Sequence, residues 1–120
     1  MPLATEILGF APVFSDYRTT WDLQKKYHED VLAGNRESTI LLLEHPPVYT
    51  AGKRTEDHER PTDGTEVIDV DRGGKITWHG PGQLVAYFIY RLNDPKEVRL
   101  FVAQLEDSMI RLLGEHGIEA

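Results

Sequence analysis

Residues 72–90 read RGGKITWHGPGQLVAYFIY, and they carry the plainest signs of a sheet. Its second half, Gln83 to Tyr90, is rich in β-branched and aromatic residues and predicts a strand. Its first half places two glycine turns, Asp71-Arg72-Gly73-Gly74 and His79-Gly80-Pro81-Gly82, on either side of an extended run, Lys75 to Trp78. Strands joined by such tight turns belong to a sheet.

Upstream, TILLLE at residues 39–44 is a continuous apolar run that suits a strand buried on both faces. His45-Pro46-Pro47 ends it, because proline cannot donate to a ladder. Val48-Tyr49-Thr50 then resumes extended structure, and residues 66–70 (EVIDV) give a further short strand. Between them, KRTEDHERPTDGT at 53–65 reads as an exposed loop, long enough to be suspected of function.

Two helices bracket the strands. Residues 15–34 place Tyr17, Trp21, Leu23, Tyr27, Val31 and Leu32 on about half the circumference at roughly 100° per residue. Ser15 is the expected N-cap and Gly34 the stop. Residues 95–113 carry Val98, Phe101, Val102, Leu105, Met109, Leu112 and Leu113 in one apolar stripe. Asp94 is its expected cap, Pro95 its first residue and Glu97 the capping-box partner, with Gly114 or Gly117 at the end. The expected class is α/β (α+β): a mixed β-sheet flanked by both helices. The chain stops soon after the second helix, and another strand is expected to follow.

Charge and composition narrow the function. The net charge of -7 argues against a nucleic-acid partner, which calls for a basic face. With no cysteine, disulfides, thiolate metal sites and a cysteine nucleophile are absent from these residues. His45, His58 and His79 lack a compact ligand spacing, so no metal is expected, and His28 and His116 read as surface residues. Ser15, Ser38 and Ser108 have no base beside them in sequence. MPLATEILGF has no basic segment followed by an apolar run, and no stretch is long enough to span a bilayer; a cytoplasmic protein is expected.

The chemistry concentrates between Arg72 and Gln83. Glycine lets a backbone approach a ligand closely. Arg72 and Lys75 add positive charge, and His79 adds a ring that donates or accepts a proton. Such a loop–strand–loop can cradle an acyl chain or carbonyl. The same glycines also suffice for plain hairpin turns. Neither a dinucleotide fingerprint nor a P-loop is present.

RGGKITWHGPGQLVAYFIY resembles the signature of the lipoate–octanoate transferases: Arg-Gly-Gly, two residues, Thr, an aromatic residue, His, a residue, Pro-Gly-Gln-Leu-Val, a residue, Tyr-Pro-Ile. EHPPVYTAGKRT at 44–55 resembles the family's upstream segment, and Asp16-Tyr17-Arg18 with Trp21 and Gln24 resembles its first helix. Phe88 departs from the family's proline. The Arg-Gly-Gly and His-Gly-Pro-Gly-Gln forms differ from the lipoate–protein ligase pattern, and the biotin-ligase glycine–arginine stretch is missing.

The resemblance implies a biotin/lipoate protein ligase-like fold, with residues 1–120 as the N-terminal part of a single octanoyltransferase domain. It implies octanoyl transfer from octanoyl-acyl carrier protein, through a cysteine thioester assisted by a lysine. The acceptors would be lipoyl domains of 2-oxoacid dehydrogenases and the glycine cleavage H protein, with no cofactor. That cysteine and lysine lie outside these residues, so no catalytic residue is expected here. The substrate-binding residues implied are Arg72, Gly73, Gly74, Lys75, Ile76, Thr77, Trp78 and His79, with His45 as a wall and Tyr17 at the rim. A non-catalytic acyl-binding or docking module and an ATP-dependent lipoate–protein ligase are the alternatives.

Overall fold

The computed structural model describes residues 2–120. They form two units, the first running to Tyr90 and the second from Arg91 to Ala120.

The first unit holds two three-stranded sheets where a single sheet was expected. In one, β1 (Leu3–Gly9) pairs in parallel with β2 (Ser38–Leu43), and β6 (Val85–Ile89) pairs antiparallel on the other side of β2. In the other, β3 (Val48–Ala51) lies between β4 (Val67–Asp69) and β5 (Thr77–His79). The break falls at Pro46-Pro47, where two residues without an N–H end the first ladder and release the chain into the second.

Strand β1 was not expected. Its side chains alternate between half-buried (Ala4, Glu6, Leu8) and exposed (Leu3, Thr5, Ile7), so its polar and apolar residues do not divide cleanly between faces. It is nevertheless joined to β2 by helix α1 (Tyr17–Leu32), as a parallel pair needs a crossover. The cap of α1 is Asp16, whose side chain accepts the Thr19 amide at 3.0 Å. Ser15 is otherwise engaged: its amide donates to the Glu44 carbonyl and its own carbonyl accepts from His45. Gly34, at φ +81°, ends the helix as expected.

β2 runs through the middle of the first sheet. Thr39, Leu41 and Leu43 are wholly buried on one face, while Ile40 and Leu42 on the other are half-buried. Val31, Leu41, Leu43, Val85 and Ile89 make the core, with Leu8, Leu23, Tyr27 and Tyr87 packed against it. Burying each such leucine contributes roughly 1.5–3 kcal/mol. Phe88, opposite Ile40 on the edge strand, is 38% exposed, so its departure from proline alters edge packing.

The loop after β3 contains a 3₁₀ turn at Asp57–Glu59, closed by a capping box with Glu56. In the second unit, helix α2 spans Val98–Glu115 rather than 95–113. The Asp94 side chain accepts the Lys96 amide at 2.9 Å, but Glu97 at φ -87°, ψ 35° breaks the backbone before the helix begins. Gly117, at φ +76°, ends α2, with the Ile118 amide reaching back to the Leu113 carbonyl; Gly114 is inside it. No residue of α2 is buried. No helix among the described residues is long and apolar enough to cross a membrane.

Candidate functional site

Four elements of the first unit bring their side chains to one place: Tyr17 opens α1, His45 follows β2, His79 ends β5 and Tyr87 sits in β6. The Tyr17 and His45 ring centroids lie 5.1 Å apart, His45 and His79 5.8 Å, and His45 and Tyr87 5.9 Å. Tyr17 stacks on His79 at 6.2 Å and 12°. Trp21, one helical turn on, tilts against Tyr17 at 6.1 Å.

His45 is fully buried and both ring nitrogens are engaged. The Ser15 carbonyl only accepts, so His45 Nδ1 carries the proton and donates at 2.7 Å. His45 Nε2 then accepts from the Tyr87 hydroxyl at 2.8 Å. Burial lowers the His45 pKa from its ordinary value and raises those of Tyr87 and Tyr17. Near neutral pH these three rings are uncharged, so the cluster is apolar in bulk with hydrogen-bonding tips. His45 is a wall with no free polar atom.

His79 differs. Its Nδ1 donates to Gln83 Oε1 at 2.8 Å, and its Nε2 has no hydrogen-bond partner among the described residues.

The Arg72-Gly73-Gly74 turn packs against the end of β3. The Lys53 amide donates to the Arg72 carbonyl at 3.0 Å and the Arg54 amide to the Gly74 carbonyl at 2.9 Å. Gly52 is buried there, and a Cβ on it would lie 2.6 Å from Arg72 Nη1 and 2.8 Å from the Gly73 carbonyl oxygen. Gly74, at φ +85°, holds a backbone conformation that glycine alone adopts easily.

The Arg72 side chain serves this packing. Nη1 donates to the Gly73 and Lys75 carbonyls at 3.0 and 2.9 Å. Nη2 reaches the Thr50 carbonyl and hydroxyl, both at 2.9 Å, and the Thr77 hydroxyl at 3.1 Å. The guanidinium expected as a charge for ligand is thus turned onto the protein. Lys75 points to Glu59 and Glu56, at 3.4 and 3.9 Å, and is not part of the ring cluster. Ile76 is half-buried. Trp78, on the opposite face of β5 from Thr77 and His79, lays its indole over Gly80, where a Cβ would overlap it. Among the described residues, no three His, Cys, Asp or Glu side chains converge as a metal site would require.

Residues 16–120 match the family described as lipoyl protein ligase A/B catalytic domain. The chain belongs to this family. Within it, the chain is 62% identical over 119 residues to the octanoyltransferase of Renibacterium salmoninarum, covering 99% of this chain and 51% of that protein. It is 56% identical over 120 residues to the octanoyltransferase of Paenarthrobacter aurescens, covering all of this chain and 54% of that protein. It is 63% identical over 103 residues to that of Leifsonia xyli, covering 86% of this chain and 46% of that protein. The chain spans about half the length of the curated relatives it matches.

Three positions of this family domain were given no role from the sequence. Tyr87 holds His45, Gln83 holds His79, and Glu44 ties two loops. The Glu44 carboxylate accepts the Ala11 amide at 2.9 Å and the Gly82 amide at 2.7 Å. The available signal was a carboxylate closing a buried apolar run, since such a group needs donors.

Proposed function

We propose that these residues form the acyl-recognition half of an octanoyltransferase, which takes octanoyl from acyl carrier protein and passes it to a lysine of a lipoyl domain. The observation that carries this reading is the 56% identity to an octanoyltransferase over all 120 residues, both motifs included. The geometry suits it. A wall of the Tyr17, His45 and His79 rings fits an apolar chain, and the braced glycine turn, Arg72 to Thr77, fits a carbonyl reached by backbone groups. The donor is octanoyl-acyl carrier protein. The acceptors are the lipoyl domains of 2-oxoacid dehydrogenases and the glycine cleavage H protein, in a cytoplasmic reaction.

The transfer itself needs a thiolate to hold the acyl group as a thioester, and the 120 residues supply none. The residues present bind and orient. The test incubates the full-length gene product with octanoyl-acyl carrier protein and an apo lipoyl domain, without ATP, and weighs the acceptor. A gain of one octanoyl group supports the proposal. Modification only with free octanoate and ATP would make the protein a ligase and overturn it.

A further inference from the structure

His79 is the one member of the ring cluster with an unoccupied ring nitrogen, so its usefulness depends on which nitrogen carries the proton. Two links outside the cluster decide that. Gln83 Oε1 lies 2.8 Å from His79 Nδ1, and a carbonyl oxygen can only accept. The proton therefore sits on Nδ1, and Nε2 presents a lone pair.

The second link fixes Gln83. The turn from His79 closes with the Gln83 amide donating to the Gly80 carbonyl at 3.1 Å. Gly82, at φ +87°, is held from outside by Glu44 Oε1 on its amide at 2.7 Å. The other Glu44 oxygen holds Ala11, in the connection that leads into α1 and Tyr17. One buried carboxylate thus ties both segments that deliver the stacked pair Tyr17 and His79.

We infer that Gln83, anchored through Gly82 by Glu44, is a positioning residue that locks His79 in the Nδ1–H tautomer. Nε2 is then an acceptor for a hydrogen-bond donor on the substrate, such as the N–H of an acceptor lysine or of the carrier's pantetheine arm. The inference rests on the acyl-site reading for the ligand, but the tautomer is measurable without any ligand.

The experiment uses full-length gene product with ¹⁵N-labelled histidine and reads the ring nitrogens by long-range ¹⁵N–¹H correlation, with His79 identified by its loss in His79→Phe. The parent shows His79 as Nδ1–H. Gln83→Glu, which keeps an accepting oxygen, retains that tautomer. Gln83→Met, which has none, loses it, and its kcat/KM for octanoyl transfer falls by about 10- to 100-fold. In a His79→Phe background the Gln83→Met change costs nothing further, because Gln83 acts through His79. A parent spectrum with the proton on Nε2, a Gln83→Met spectrum unchanged from the parent, or additive losses would overturn the inference. The locked tautomer in a protein that transfers no octanoyl group would support Gln83's role while sinking the proposed reaction.

Discussion

Glu44 and Gly82 are 38 residues apart in sequence, yet the Glu44 carboxylate accepts the Gly82 amide at 2.7 Å. With Ala11 on its other oxygen, this side chain joins the connection before α1 to the turn after β5. These two amides hold the Glu44 carboxyl below its ordinary pKa. A depressed carboxyl contributes stability above its unfolded value, about 4.3, that is lost as pH falls through the folded one. Glu44→Gln replaces one accepting oxygen with a donor that faces an N–H. The variant is expected to melt several degrees lower at pH 7 and to lose less stability than the parent on acidification below about pH 4.5. Melting curves at pH 7 and pH 4 check this, and identical parent and variant curves would contradict it.

His45 acts in a higher pH window. Burial depresses its pKa, so the folded state resists a proton that the unfolded chain takes up below about 6.5. Its contribution is complete above that value and is lost as pH falls. Urea midpoints should therefore decline between pH 7.5 and 5.5, and the decline should be shallower in His45→Gln. Parallel slopes in parent and variant would remove His45 from this account.

Tyr87→Phe deletes the hydroxyl that satisfies His45 Nε2 and leaves a buried acceptor without a donor. The expected cost is about 1–3 kcal/mol. Denaturant titration measures it; a change under about 0.5 kcal/mol would mean that the His45–Tyr87 bond is dispensable.

The glycines in and against the Arg72 turn should separate into structural and ligand-facing kinds. Gly52→Ala forces a methyl against Arg72 and the Gly73 carbonyl and is expected to destabilise by about 1–3 kcal/mol. Gly73 has open space at its Cβ position and no positive φ, so Gly73→Val should leave the melting temperature within about 2 °C while weakening transfer. Gly74 is a poorer probe, because its φ of +85° strains any replacement. Thermal melts beside kinetics on the full-length product separate the two kinds, and Gly73→Val with parental kinetics would exclude Gly73 from the site.

Much of this was legible from the sequence, and the failures have physical causes. Continuous apolar runs and helical stripes gave β2, β6, α1 and α2, since burial imposes those periods. β1 was missed because LATEILG is half-buried at an edge and mixes both polarities. The N-cap shifted from Ser15 to Asp16 because the Ser15 backbone is tied to Glu44 and His45, contacts no local pattern reveals. The grouping of Tyr17, His45 and His79 followed from family resemblance. The inward turn of Arg72 did not, because it depends on Thr50, 22 residues away.

A thiol-free chain sets its own chemical limit. A polypeptide of these 120 residues alone should form no hydroxylamine-sensitive octanoyl adduct with octanoyl-acyl carrier protein, because it contains no cysteine. Intact-mass measurement before and after hydroxylamine reads this, and a labile adduct would require a nucleophile that the chain lacks.

If the ring cluster and braced turn receive the acyl chain, photolabelling will find its far end beside them. An octanoyl analogue with a diazirine at its far end is loaded on acyl carrier protein, bound to the full-length product and irradiated. Peptide mass mapping then locates the label. Within residues 2–120, the label is expected on peptides that carry Tyr17, His45 or His79, and excess octanoyl-acyl carrier protein should suppress it. Suppressible labelling confined to α2 or to the 53–65 loop would contradict it.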